Sequence, residues 1–128
     1  MNKAVTALVI DDDIYNVDLF CEYLELIKVK VVGRGYNGRE AVELYNQHKP
    51  DVVFLDLLMP DYDGIYALEN IRKINPEAFI VIVTAVVDRA SKEKIAKLNP
   101  NQIVSKPFEP ESIGEIVENI NKTKACTV

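Results

Sequence analysis

Five short apolar runs alternate along this chain with longer stretches of helical spacing. Residues 4–10, 29–32, 52–55, 79–83 and 102–104 read as strands. Between and after them, over 14–27, 39–47, 65–74, 91–98 and 109–121, the pattern predicts helices; in 65–74, for example, Ile65, Leu68, Ile71 and Ile74 recur three positions apart. Asn37-Gly38, Pro50-Asp51, Asn75-Pro76 and Asn99-Pro100-Asn101 mark the breaks. The strand runs are apolar nearly throughout, as expected of parallel strands covered on both faces. Strand–helix alternation of this kind predicts an α/β, doubly wound parallel sheet, and right-handed crossovers restrict it to a few arrangements. Periodicity alone leaves the strand order open.

The strands end in chemistry. Asp11-Asp12-Asp13 follows the first, Asp56 the third, Thr84-Ala85 the fourth and Ser105-Lys106-Pro107 the fifth. In an open parallel sheet the carboxyl ends of the strands line one crevice, where ligands bind. Two acids, a further carboxylate, a hydroxyl and an amine in that crevice suit phosphoryl transfer onto an aspartate. Each piece has a plainer reading. The acidic pair can cap a helix, Asp12 or Asp13 being placed to do so; Thr84 can be an ordinary strand-end residue; Lys106-Pro107 can be a surface turn. Asp56 is harder to dismiss, because an unpaired carboxylate behind four apolar residues costs several kcal/mol. The plainer readings together require four coincidences at one sheet edge.

Composition narrows the function further. With 128 residues the chain fits one domain, and 48% hydrophobic with 27% charged residues is ordinary for a soluble globular protein. A net charge of -5 argues against direct nucleic-acid binding. No run approaches the length needed to insert in a membrane, and no leader is evident at the start. Cys21 and Cys126 make no disulfide framework and read as free thiols of a reducing cytoplasm, so a cytoplasmic location is expected. His48 sits at a helix end and reads as a solvated dipole partner rather than a ligand.

With Asp11-Asp12, Asp56 followed by Met59-Pro60 and Asp63-Gly64, Thr84-Ala85 and Lys106-Pro107-Phe108 in this order, the chain resembles the receiver domain of two-component response regulators over residues 4–121, with 122–128 a short C-terminal tail. The resemblance implies a flavodoxin-like sheet of five parallel strands in order 2-1-3-4-5, with five surrounding helices. It implies that Asp56 is the phosphoacceptor. Mg2+ would be bound directly by Asp12 and Asp56, mostly through water by Asp11, and by the backbone carbonyl of Leu58. Lys106 would pair first with Asp56 and then with a phosphoryl oxygen, which the Thr84 hydroxyl would also bind. Self-phosphorylation and self-dephosphorylation at Asp56 would be Mg-dependent, without enzymatic turnover. The implied partners are a histidine kinase or histidine phosphotransfer protein upstream and an unidentified protein downstream. The fourth helix, fifth strand and fifth helix would form the output face, which is also a surface for a phosphorylation-dependent homodimer.

The chain departs from that pattern in places. Ile103 stands where the family's switch uses an aromatic residue, and Lys97-Leu98-Asn99-Pro100 where it usually has a small residue and glycine. Leu58 and Val86, which flank the family's water route to the phosphoryl group, are apolar, so slow self-dephosphorylation is expected. In the first helix Leu19, Phe20, Tyr23, Leu24 and Ile27 make the predicted core face, leaving Ile14, Val17 and Cys21 as a docking stripe for the phosphodonor or as residues covered by loops. The expected form is a stand-alone, single-domain response regulator. Three alternatives stand beside it: a receiver cut from a longer chain with an effector domain, a degenerate receiver acting only as a binding module, and a haloacid-dehalogenase-like phosphohydrolase. The last wants a second acid two residues after its nucleophile; Leu58 occupies that place after Asp56, whereas Asp11 and Asp13 have the spacing.

Overall fold

The structure, a computed structural model, describes residues 4–60, 62–85 and 88–126, and side chains as far as Lys124. Its elements are β1 (Thr6–Ile10), α1 (Ile14–Leu26), β2 (Lys30–Gly35), α2 (Gly38–His48), β3 (Val52–Leu55), α3 (Gly64–Ile74), β4 (Ile80–Thr84), α4 (Arg89–Leu98), β5 (Gln102–Ser105) and α5 (Pro110–Cys126). The strands form one sheet in the order β2-β1-β3-β4-β5, and every neighbouring pair is parallel. This is the doubly wound, flavodoxin-like architecture with its order reversal between β1 and β3.

Alternate side chains of each strand enter two apolar layers. Val9, Phe54, Val81 and Val83 pack with Phe20 and Leu24 of α1 and Ile113 and Val117 of α5. On the opposite face Leu8, Ile10, Val53, Leu55 and Ile82 pack with Tyr45 of α2, Leu68 and Ile71 of α3, and Ile95 of α4. Burial on both faces explains why the strand sequences do not alternate.

Acidic or amide side chains start four helices. Asp13 accepts from the Tyr15 and Asn16 amides, Asn37 from Glu40, Asp63 from Tyr66 and Asp88 from Ser91. Each satisfies a donor that the first turn leaves open. Since Asp13 is the cap of α1, Asp12 is left for the crevice. His48 lies exposed in the last turn of α2.

Three features differ from the sequence reading. β2 runs on to Gly35, because Gly33 and Gly35 continue the pairing with Leu8 and Ile10 where a sequence reading takes glycine as a stop. The α1 face is rotated: Val17 and Cys21 are fully buried together with Phe20 and Leu24, whereas Leu19 is 62% exposed. Val17, Phe20, Cys21 and Leu24 follow the i, i+3, i+4, i+7 rule, so two of the three residues assigned to a docking stripe belong to the core. The helix α5 extends to Cys126, so most of the stretch expected as tail is helical. Lys124 explains part of this extension. Its Nζ lies 2.6 Å from Asp51 Oδ2 and donates to the Ala4 carbonyl at 3.3 Å, tying the last turn to the segments that lead into β3 and β1.

Gly64 opens α3 against the strand-end loop. Its amide donates to the Leu57 carbonyl at 2.9 Å, and a Cβ there would lie 2.3 Å from the Asp56 carbonyl oxygen and 2.7 Å from Leu57 Cα. Both obstacles are backbone and cannot rotate away. Gly64→Ala is expected to lower stability by about 2 kcal/mol, as overpacking does. A urea midpoint unchanged at constant slope would contradict this steric account.

Candidate functional site

Level strand ends bring the polar residues together. Ile10 pairs with Leu55, and the Asp56 amide continues that ladder to the Ile10 carbonyl at 2.9 Å. The Asp11 amide does the same toward β2, reaching the Gly35 carbonyl at 3.1 Å. On the other side Thr84 pairs with Ser105, and the Lys106 amide donates to the Thr84 carbonyl at 2.9 Å. Asp11 and Asp56 therefore flank the order reversal, while Thr84 and Lys106 end the next two strands.

Asp11, Asp12 and Asp56 can each place a carboxylate oxygen so that all lie within 4.8 Å of one another. Asp11 and Asp56 are 7% and 8% exposed, Thr84 is 3% exposed, and Asp12 is open to solvent. Lys106 reaches into this group, but its closer partner is Asp11, with Nζ to Oδ2 2.7 Å; Asp56 Oδ2 is 3.5 Å away. Lys106 is thus paired with Asp56, as expected, but shares its ammonium with Asp11 at shorter range. Fixed main-chain donors orient the two acids, Leu57 N to Asp56 Oδ1 at 2.8 Å and Asp13 N to Asp11 Oδ1 at 3.0 Å.

Burial pushes the Asp56 carboxyl up to about 6 against the opposing pull of Lys106, and the Asp11 charge adds to the rise. Burial also works against the charged form of Lys106, but its hydrogen bond to Asp11 and the Asp56 charge outweigh that and raise its pKa. Three carboxylates facing one ammonium leave excess negative charge in a partly desolvated crevice. Hard oxygen donors in that number suit a cation that keeps waters and meets phosphate oxygens, as Mg2+ does.

Leu58 follows in the loop after β3 with an exposed side chain. Val86 lies outside the described residues, so only Leu58 of the apolar pair at the water route is placed. Ile103 is exposed on β5, opposite Ile82.

One feature escaped the sequence reading. A groove of about 760 Å3 opens beside Asp56 and Lys106, walled by Leu19, Tyr23 and Leu26 of α1 and by Phe108 and Pro110. Phe108 stacks obliquely on Phe20 with ring centres 4.9 Å apart, and the Tyr23 hydroxyl donates to the Pro110 carbonyl at 2.6 Å. The apolar surplus of α1 was the available signal, read one step out of phase.

A doubly wound sheet carrying an acidic cluster and a lysine at its order reversal has the architecture of a signal receiver domain. Residues 7–118 match the response regulator receiver domain, and the chain belongs to that family. The chemotaxis protein CheY of Thermotoga maritima is 34% identical over 122 residues, covering 95% of this chain and 100% of its own. CheY of Bacillus subtilis is 32% identical over 116 residues, covering 91% of this chain and 94% of its own. Among solved structures, the receiver domain of the Francisella response regulator 1452 is 27% identical with a TM-score of 0.82, covering 93% of this chain and 98% of that one. Receiver domains generally accept a phosphoryl group and bind Mg2+ at an acidic pocket. No helix among the described residues is long and apolar enough to cross a membrane.

The raised pKa of Asp56 has a stability consequence. The unfolded carboxyl titrates near 3.8 and the folded one near 6, so between these values the folded chain binds more protons. Stability without divalent ions therefore falls as pH rises through that window and stays lower above it. Asp56→Asn is expected to exceed the parent in stability by on the order of 2 kcal/mol at pH 7.5, and to lose that advantage toward pH 4. Urea denaturation in chelator at both pH values checks this; an Asn variant less stable at pH 7.5 would contradict it.

Proposed function

We propose that Asp56 takes a phosphoryl group from a phosphohistidine protein in a Mg2+-dependent reaction, and that the phosphorylated chain signals through a protein-binding face. The observation that carries this reading is the gathering of Asp11, Asp12 and Asp56 within 4.8 Å beside Lys106. Family membership speaks against the hydrolase alternative, as do Leu58, which stands where Asp56 would need a second acid, and Asp13, which caps α1 instead of serving Asp11 as one.

An Asp56 carboxylate oxygen attacks the phosphorus, an O–P bond forms, and the donor leaves with the electron pair of its broken bond. Asp12 and Asp56 would hold Mg2+, with Asp11 and the Leu58 carbonyl completing the protein's share. When bound, the ion offsets the charge of the carboxylates and of the incoming phosphoryl oxygens. Lys106 releases its hold on Asp11 to pair with a phosphoryl oxygen, a charge-assisted contact favoured by its partial burial. The Thr84 hydroxyl binds the same group, and its inward movement starts the switch. The exposed alkyl chain of Leu58 cannot orient an attacking water, so the aspartyl phosphate persists.

Incubation with acetyl phosphate and Mg2+ is expected to add one phosphoryl group per chain, seen as intact mass. Asp56→Asn or chelation should abolish the adduct. After the small donor is removed the adduct should last minutes or longer, and Leu58→Asn should shorten its life. Labelling that survives Asp56→Asn would sink the proposal.

The phosphodonor docks on α1. Ile14, Tyr15 and Leu19 are exposed, and Leu19 walls the groove that reaches Asp56. Exposed apolar side chains beside such a groove are what a partner helix covers. Leu19→Glu or Ile14→Glu is expected to slow transfer from a cognate phosphohistidine protein by tenfold or more (roughly 1.4 kcal/mol of docking energy) while leaving acetyl phosphate labelling unchanged. Equal loss with both donors would reject docking here.

A further inference from the structure

Arg72, in the last turn of α3, makes contacts that the site above does not use. One guanidinium nitrogen donates to the carbonyls of Pro76, at 3.1 Å, and Ala78. The other donates to the Asn99 carbonyl at 3.0 Å and to Asn101 Oδ1 at 2.9 Å. One planar fork thus joins the end of α3, the α3–β4 connection and the α4–β5 connection. Asn101 secures the same point to the sheet: its Oδ1 also accepts from the Ile80 amide at 2.9 Å, and its own amide donates to the Ile80 carbonyl at 2.9 Å. Asn99, the left-handed C-cap of α4, lies within this knot, its amide donating to Ile95 and Ala96.

Packing of α4 is equally one-sided. Its one buried residue is Ile95, and Leu98, partly buried, joins the same apolar layer. In its first six residues only Ser91 is partly covered; Arg89, Ala90, Lys92, Glu93 and Lys94 are exposed. The amino end is held by the Asp88 cap, itself exposed. That end follows Thr84 by a few residues, whereas the clamped end lies at the opposite edge of the sheet.

We infer that Arg72 is a positioning residue that clamps the carboxyl end of α4, so that activation swings the amino-terminal half about a fixed pivot at 95–101. A guanidinium in a fixed fork suits this task better than an ammonium, because four acceptors in two connections are engaged by one rigid group. The weakly packed half is the part with little free energy opposing its motion. This inference rests on the proposed phosphorylation at Asp56 for its trigger, but the clamp itself exists in the free protein.

Amide hydrogen exchange separates the two. In the free protein Arg72→Lys, which keeps the charge and loses the fork, should lower protection across 95–101 by about tenfold, the loss expected for one or two hydrogen bonds to a charged group, and Asn101→Ala should do the same. Protection across 89–94 should change little. On adding beryllofluoride and Mg2+ to the parent protein, exchange should change across 89–94 and stay constant across 95–101; in Arg72→Lys both halves should respond. A parent protein whose two halves respond equally, or an Arg72→Lys variant with undiminished protection across 95–101, would overturn the pivot. A parent protein with no response to beryllofluoride anywhere would instead reject the phosphoacceptor reading, and the free-protein comparison would still decide the clamp.

Discussion

Two carboxylates forced together at a sheet's order reversal, with one lysine between them, are the constraint on which this protein turns. Like charges so close repel, and burial strengthens the repulsion. The structure holds them there by means that do not yield. The Asp11 and Asp56 amides extend strand ladders, and both strands are packed on two apolar faces. Gly64 brings the start of α3 against the Asp56 carbonyl, which fixes the chain leaving the site. The apolar layers thus oppose a local electrostatic cost, which a bound cation would offset in the proposed reaction. Strain of this kind is concentrated where function needs it.

The division of Lys106 between its partners gives the site its sense. At 2.7 Å from Asp11 and 3.5 Å from Asp56, the ammonium satisfies the first acid better than the second. Asp56 is left as the less compensated carboxylate, and its raised pKa follows mainly from burial. A nucleophile that is fully ion-paired is a weaker one; a nucleophile with a looser cation nearby can be approached by an anionic group once further positive charge is present. Asp11 therefore acts as a holding place for Lys106, beside the cation-binding role proposed for it.

Much of this was legible in the sequence, for reasons that particular residues make clear. Asp11, Asp56, Thr84 and Lys106 each follow a run whose length and apolarity define a buried strand, so their common edge follows from the alternation of strands and helices. The identity of the lysine's nearer partner does not follow, because Asp11 and Asp56 are equivalent at the level of spacing and differ only in fractions of a bond length. The rotation of α1 was missed for a related reason. Between Ile14 and Ile27 nearly every face offers an apolar side chain, and only contact with Phe54 and Phe108 selects Phe20, together with Val17, Cys21 and Leu24, for the interior. Arg72 gave no signal at all, since three of its four acceptors are main-chain carbonyls in two distant connections.

Ile103 bears on how such a domain passes its signal outward. It lies on β5 opposite Ile82, more than half exposed, at the edge of the sheet. A side chain with no hydroxyl and no ring gains little from moving between solvent and a cavity, and β-branching leaves it few rotamers to move between. The burden of reporting then falls on backbone that can move. β4 is buried along its whole length and fixed on both sides by strand pairing, so displacement at Thr84 cannot travel back through it. It can travel forward, toward a helix that buries one residue and is tied down at its far end. Forward transmission into the loose half of α4 is the route that the packing leaves open.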